Sequence, residues 1–586
     1  MPRHPEDKNE MGIGIWYALL AGVSGALGNA VESISIITLL HPFFTLKAVH
    51  HLELAWQRWK YVGTWAPTLA MAIMNVVLGS AYALAFLDVP AYPAPSADSH
   101  KEAAAWGYIL ASNLVPLVYL STLRVVHVFP PAHVNLFVFP VLHTAFWSLC
   151  GFFPKYAWAN PAYALLDYAP LAQLASVAST AGINFLTGLL SGALFLLTLR
   201  PTGAVSLAAA AASVHPSARV HRVPPAALAV VAGALAVGGA LLNAGHFFQR
   251  PVRDVGQRYA RVGCATGIDV EFRSKAYDAL MADTHRLLHD SDAGLVLWSE
   301  TAVKLTDGAQ EDRLLADAAD LLSRSGVRAA GKHRDADKYL GVTYSADFGA
   351  KGAYRNMFVL LSDAGEVWRY NKAHPVPLIE DDYAPGPPVI PTADTPLGRL
   401  GGVICFDVDF ASYIWQAGRA GVAMLLQPSQ TWGSVGARHF AANGLRAVEN
   451  GLTLVRCSSD GVSGVVDRHY RYTSWREATR GDAMVFEVPL APHARTVWTW
   501  WGGWLLPWAN VGAAAVLWVV VLLGGRGVAR WRCAGLWEVV LWPAHRDMGR
   551  RLTGARDSVV STARPSEVAE QGAGAPLLAD EHGSEL

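Results

Sequence analysis

Charge is scarce in this sequence: Asp, Glu, Lys and Arg make up 16% of its 586 residues, where soluble proteins carry roughly 25%. The two signs cancel at 47 each, so the basic footprint of a nucleic-acid binder is missing and no nucleic-acid partner is expected. Cysteine is scarce as well. The five cysteines show no CxxC and no Cys/His spacing of the zinc-site type, which argues against a disulfide framework and against a metal site. No cofactor is expected either. The first apolar run follows MPRHPEDKNE, a flank of mixed charge without an obvious small-residue cleavage site, so a cleaved signal peptide is not expected.

The missing charge is missing in blocks. Uncharged runs occupy Met11–Val31, Ser33–Leu46, Tyr61–Leu87, Ala103–Leu123, Val125–Pro154, Tyr168–Leu199, Val223–Gln249 and Thr496–Gly525. A bilayer-crossing helix needs about 20 predominantly apolar residues, and most of these runs reach that length. Residues 11–249 are therefore predicted to hold six or seven N-terminal transmembrane helices. The count depends on whether Met11–Leu46 is one long helix or a hairpin turning at GNAVES. A C-terminal span is predicted over 500–524. Between them, over 254–490, charge returns and short apolar runs are bounded by Gly, Asp and Ser, the pattern of one inserted soluble domain. Residues 526–586 begin basic (Arg526, Arg530, Arg532) and end too polar to fold, which predicts a disordered cytoplasmic tail.

Lys and Arg in short loops mark the cytoplasmic side. Lys47, Arg58 and Lys60 fall in one predicted loop, while Asp88, Asp98 and Glu102 dominate the next. The basic tail lies on the side of the basic loops. The inserted domain is thus expected on the non-cytoplasmic face of a multi-pass membrane protein.

Within that domain strand and helix patterns alternate, which predicts a layered α/β fold. AGLVLWSE (293–300) reads as a strand ending at Glu300, and GAYRNMFVLLSDAGEVWRYNKAH as two strands turning at Asp363-Ala364-Gly365 and leading to Lys372. LGRLGGVICFD reads as a strand ending at Cys405. Each residue alone has an ordinary reading as a small core cysteine, a loop acid or an exposed lysine. Together they carry a chemistry. A carboxylate can take the thiol proton, and an ammonium can stabilise the oxyanion formed when sulfur attacks a carbonyl.

LWSETAV, YNKAHPVPLIEDDYAPG and GVICFDVDF resemble, in order, the three signature segments of the nitrilase (carbon–nitrogen hydrolase) superfamily. The membrane setting narrows the resemblance to its apolipoprotein N-acyltransferase branch. Trp432, His439, Arg446, Glu449, Arg456, Gly461 and Ser463 match a further segment of that branch, and Pro170, Gln173, Gly182 and Phe185 match one of its helices. The resemblance implies a multi-span α-helical membrane region with an inserted α-β-β-α sandwich whose active site faces the membrane. Cys405 would be the nucleophile, Glu300 the general base, and Lys372 with the backbone N–H of Phe406 the oxyanion site. Glu380 would support them. Cys405-Phe406-Asp407 replaces the family's usual Cys-Tyr-Glu, and Leu378-Ile379-Glu380 its Phe-Gly-Glu. Those departures leave the triad intact and touch the surrounding pocket, where Trp432 is also expected.

The function implied is transfer of an acyl chain from a phospholipid donor, through a Cys405 thioester, to an amine acceptor of lipoprotein type. The alternative is a membrane-tethered amidase or nitrilase-type hydrolase, in which water resolves the same thioester. A silent binding module is a third reading, under which Cys405→Ala would change nothing.

Overall fold

The computed structural model describes residues 5–29, 38–58, 132–151, 160–166, 169–198, 257–291, 293–325, 338–347, 354–377, 380–431, 433–502, 505 and 508–519. The apolar runs within 59–131 and 199–256, the tail from 520 onward, Leu378, Ile379 and Trp432 lie outside the described residues.

Two sheets face each other in the domain. The first runs β14 (Ala483–Pro489), β1 (Tyr259–Ala265), β3 (Leu295–Trp298) and β5 (Tyr339–Ala346). One edge of β5 is shared by β3 and by β4 (Val303–Leu305), which leads to β2 (Val270–Glu271). Its other edge pairs with β6 (Arg355–Ser362), and β6 pairs with β7 (Gly365–Asn371). The second sheet has the order β13 (Tyr472–Ala478), β12 (Gly461–Val466), β11 (Thr453–Ser458), β10 (Met424–Ser429), β9 (Gly398–Gly402), β8 (Thr392–Thr395).

Side-chain alternation along the strands sorts the core into layers. In β3, Leu295 and Leu297 join the cluster shared with Leu400 and Leu426 of the second sheet. Val296 and Trp298 point the other way, into a cluster with Leu280, Leu287, Leu314 and Ala318. Those last four come from α5 (Lys275–His289) and α6 (Gly308–Ser325). Trp298 is fully buried, and its indole N–H donates to Thr284 Oγ1 at 2.8 Å, so no buried donor is left over. On the far side, α7 (Ala411–Ala420) and α8 (Gly433–Asn450) cover the second sheet. The result is the expected α-β-β-α sandwich. Gly451 ends α8 in the left-handed region at φ +61°, and the Leu452 N–H closes back on Ala447 O at 3.1 Å.

One sequence expectation is overturned here. Cys264 of β1 and Cys457 of β11 form a disulfide that ties the two sheets together across 193 residues. The odd cysteine count concealed it, because a pair this distant has no local spacing signal.

Four helices of about 20 residues are described before the domain: α1 (Pro5–Asn29), α2 (Leu40–Arg58), α3 (Ala132–Cys150) and α4 (Ala175–Thr198). Among the described residues, Ala175–Leu196 alone is long and apolar enough to cross a bilayer, and Met11–Ser24, Leu136–Cys150 and Trp508–Val519 are shorter apolar helices. Helices α1 and α2 pack together, with Tyr17 stacked 5.5 Å from His51, and the proposed turn at GNAVES lies outside the described residues. Lys47 and Arg58 are not loop residues as predicted. Both lie in α2, and Lys47 is buried with its ammonium donating to Thr198 O at 3.1 Å, the carbonyl end of α4. Glycine lets α3 and α4 approach closely: a Cβ on Gly188 would stand 2.9 Å from Pro140 Cα.

Candidate active site

Each expected residue lies just beyond a strand, on the loops at one end of the sandwich. Glu300 follows β3 and is 3% exposed, and Lys372 follows β7 and is 1% exposed. Their side chains meet: Lys372 Nζ donates to Glu300 Oε1 at 2.7 Å and to Glu380 Oε2 at 2.7 Å. An ammonium has three donors, so two of them are committed to carboxylates and one remains to be aimed.

Cys405 departs from expectation in its local geometry. Strand β9 ends at Gly402, and Cys405 opens a short 3₁₀ turn, Cys405–Asp409, with φ +43°. A non-glycine residue in that region costs about 1–3 kcal/mol unless its surroundings hold it there. They do. Asp407, fully buried, accepts from the Ile404 N–H at 3.0 Å and the Tyr370 hydroxyl at 2.7 Å through Oδ2. Its Oδ1 accepts from the His374 N–H at 2.8 Å and lies 2.9 Å from His374 Nδ1. One carboxylate therefore fixes the nucleophile turn to the loop that carries Lys372. The shorter Asp fits because Tyr370 and His374 come to it. His374 in turn stacks on Phe410 at 4.2 Å, and Phe406 meets Phe410 edge-on at 5.2 Å, so Phe406 belongs to an aromatic wall beside the sulfur.

The end of strand β10 and the residue after it supply the remaining contacts. Ser429 Oγ donates to Cys405 Sγ at 3.2 Å, and the Cys405 thiol faces Gln430 O at 3.5 Å. The Gln430 N–H donates to Glu300 Oε2 at 2.8 Å. Asn356 of β6 was not anticipated from the sequence. Its amide donates to Glu300 Oε1 at 2.8 Å and to Glu380 Oε1 at 3.2 Å, holding the two acids on either side of the lysine. The signal for it was present in RNMFVLLS, where a lone amide interrupts an apolar strand and must find partners if buried.

The electrostatics follow from burial. Desolvation pushes the Cys405 thiol up to about 12, helped by the Glu300 charge and opposed by Lys372, Arg456 and the Ser429 hydrogen bond. Burial likewise raises Glu300 above the usual carboxylate range, against the pull of Lys372. Lys372 is disfavoured as a cation by burial, but Glu300 and Glu380 outweigh that and hold it well above its ordinary value. Burial therefore keeps the Cys405 thiol neutral beside a lysine cation held by the Glu300 and Glu380 side chains. Such a site can pass a thiol proton to a carboxylate while an ammonium receives the oxyanion. Among the described residues no group of His, Cys, Asp and Glu could hold a metal ion.

Residues 273–486 match the carbon-nitrogen hydrolase family. The chain carries a carbon–nitrogen hydrolase domain. It is 32% identical over 197 residues to an apolipoprotein N-acyltransferase of Gloeobacter violaceus, covering 30% of this chain and 36% of that protein. It is 27% identical over 192 residues to an apolipoprotein N-acyltransferase of Geobacter metallireducens, covering 29% and 36%. The matches thus span little more than a third of those relatives. Among solved structures, an amidase from Nesterenkonia sp. AN1 is similar at 17% identity with a TM-score of 0.34, over 41% of this chain and 93% of the amidase.

Proposed function

We propose that the protein is a membrane N-acyltransferase of the carbon–nitrogen hydrolase superfamily that takes an acyl chain from a phospholipid and gives it to an amine. The observation that carries this reading is the convergence of Glu300, Lys372 and Cys405 from three strands into one buried site, with the cysteine held on a strained turn. Two further features support it. Trp500, Trp501 and Trp508 stand exposed next to the apolar helix Trp508–Val519, as aromatic residues do at a bilayer interface. The Cys264–Cys457 disulfide fits an oxidising compartment and so favours a non-cytoplasmic domain.

In this reading the Cys405 proton passes to Glu300 as sulfur attacks the ester carbonyl. Lys372 and the Phe406 N–H hold the oxyanion. The carbon–oxygen bond to the lysophospholipid breaks, its oxygen takes the proton from Glu300, and a thioester remains. The acceptor amine then attacks that thioester, Glu300 removes its proton, and the proton returns to the departing thiolate. Detergent-purified protein given phospholipid and a lipopeptide with a free α-amine is expected to form the N-acyl lipopeptide, and Cys405→Ala is expected to form none. Fatty acid release without amide formation would assign the protein to the hydrolases instead.

A further inference from the structure

Helix α8 carries two buried polar clusters, and they connect the nucleophile to residues far outside the family match. The first cluster grips both ends of the catalytic turn. At its far end, His439 Nε2 and Asn443 Nδ2 meet Asp409 Oδ1 at 3.0 and 2.8 Å. Arg456 donates to His439 Nδ1 at 3.1 Å, which leaves the His439 proton on Nε2, facing Asp409. At the near end, the Gln427 amide donates to the Cys405 carbonyl at 3.1 Å and to Asn443 Oδ1 at 2.7 Å. A single asparagine on α8 therefore touches both the clamp on Asp409 and the clamp on Cys405.

The second cluster lies one turn further along. Arg446 and Glu449, 1% and 0% exposed, pair with each other. Arg446 donates to the Tyr163 hydroxyl at 2.9 Å, and Ser179 Oγ donates to Glu449 Oε1 at 2.5 Å. Ser179 sits in a break of the apolar helix α4 at φ 53° and ψ −150°, a conformation that a non-glycine residue keeps only where its surroundings impose it. Thr496, just before the C-terminal helix, donates to the Glu449 carbonyl at 2.5 Å. Residues before and after the domain thus close on the same end of α8.

We infer that Tyr163 and Ser179, seated on Arg446 and Glu449, are positioning residues for Cys405, acting through α8 on Asp409 and Asn443. This rests on the acyl-enzyme reading above. It places part of the support for the nucleophile outside residues 273–486.

The test uses the full chain in detergent and 4-nitrophenyl butyrate, a soluble ester that needs no bilayer, with the burst of 4-nitrophenol reporting acylation of Cys405. Tyr163→Phe and Ser179→Ala are each expected to slow the burst at least fivefold with KM within twofold of wild type and with the melting temperature retained. Thr187→Val, which removes a hydroxyl whose bond among the described residues is to its own helix at Ile183 O, is expected to leave the burst unchanged. Because both perturbations act on one turn, adding Tyr163→Phe to Asp409→Asn should cost no further rate beyond Asp409→Asn alone. Folded Tyr163→Phe protein with a wild-type burst, or effects that multiply in the double variant, would overturn the inference. A wild-type chain with no Cys405-dependent burst would overturn the acyl-enzyme reading and this inference with it.

Discussion

Replacing Glu300 by Gln should move two properties of Cys405 in opposite directions. The carboxylate raises the thiol pKa by its charge and also accepts the thiol proton during attack. Unit charges about 4 Å apart at an effective dielectric of about 20 interact by about 4 kcal/mol, which is roughly a thousandfold in thiolate fraction. With the thiol at about 12, wild-type protein at pH 8 holds roughly one thiolate in ten thousand. In Glu300→Gln the cation stays in place, because Lys372 keeps its 2.7 Å bond to Glu380. Alkylation of Cys405 by iodoacetamide, followed by intact mass against pH, should therefore speed up by as much as roughly a thousandfold. Its pH profile should move to lower pH. Acylation by an ester should instead slow by about 10²–10⁴, the usual worth of a general base. Alkylation and acylation falling together would refute the reasoning, since that is the signature of a collapsed pocket.

Further expectations follow from the same contacts. Lys372→Met leaves the buried Glu300 and the partly buried Glu380 without their cation, so thermal or urea unfolding should show a loss of about 3–5 kcal/mol along with the loss of acylation. Asp407→Asn weakens the acceptor of the Ile404, Tyr370 and His374 donors. It should lower the acylation rate more than it lowers the melting temperature would suggest, with unfolding costs of about 1–3 kcal/mol for a donor left unpaired. Reducing the Cys264–Cys457 bond, or replacing both cysteines by Ala, should cost about 2–5 kcal/mol in denaturant unfolding. Non-reducing peptide mapping should recover the linked pair. Alkaline stability carries a sign as well. The Cys405 pKa is raised from 9.0 to about 12 in the folded chain. Its contribution is therefore complete below pH 9 and fades at about 1.4 kcal/mol per pH unit as pH rises toward 12. Cys405→Ala should flatten that decline.

Much of the domain was legible because its signals are local. Strand β3 and the β6–β7 hairpin fall where the sequence pattern put them, and Gly365 turns the hairpin at φ +119°. Cys405 was found through its motif, but its turn was not. The run LGGVICFD stays largely apolar, yet the strand stops at Gly402 and Asp407 reaches back to the Ile404 N–H from within the turn. The disulfide, Asn356 and the clamp on Asp409 share one reason for having been missed. Each joins segments that approach only after the two sheets have closed, 193 residues apart for the cysteines and 56 for Asn356 and Glu300. Lys47 misled for the opposite reason. A charge beside an apolar run looks like a loop end, yet here the carbonyl end of α4 draws it into a helix interior.

The central claim is that Cys405 carries the acyl group, and intact-protein mass spectrometry tests it most directly. Full-length protein purified in detergent and incubated with a phospholipid of defined acyl chains should gain the mass of one acyl group. Peptide mapping should place that group on Cys405, hydroxylamine should remove it, Cys405→Ala should not acquire it, and Glu300→Gln should acquire it about 10²–10⁴ more slowly. An unmodified Cys405 in active protein, or an adduct that persists in Cys405→Ala, would contradict the account.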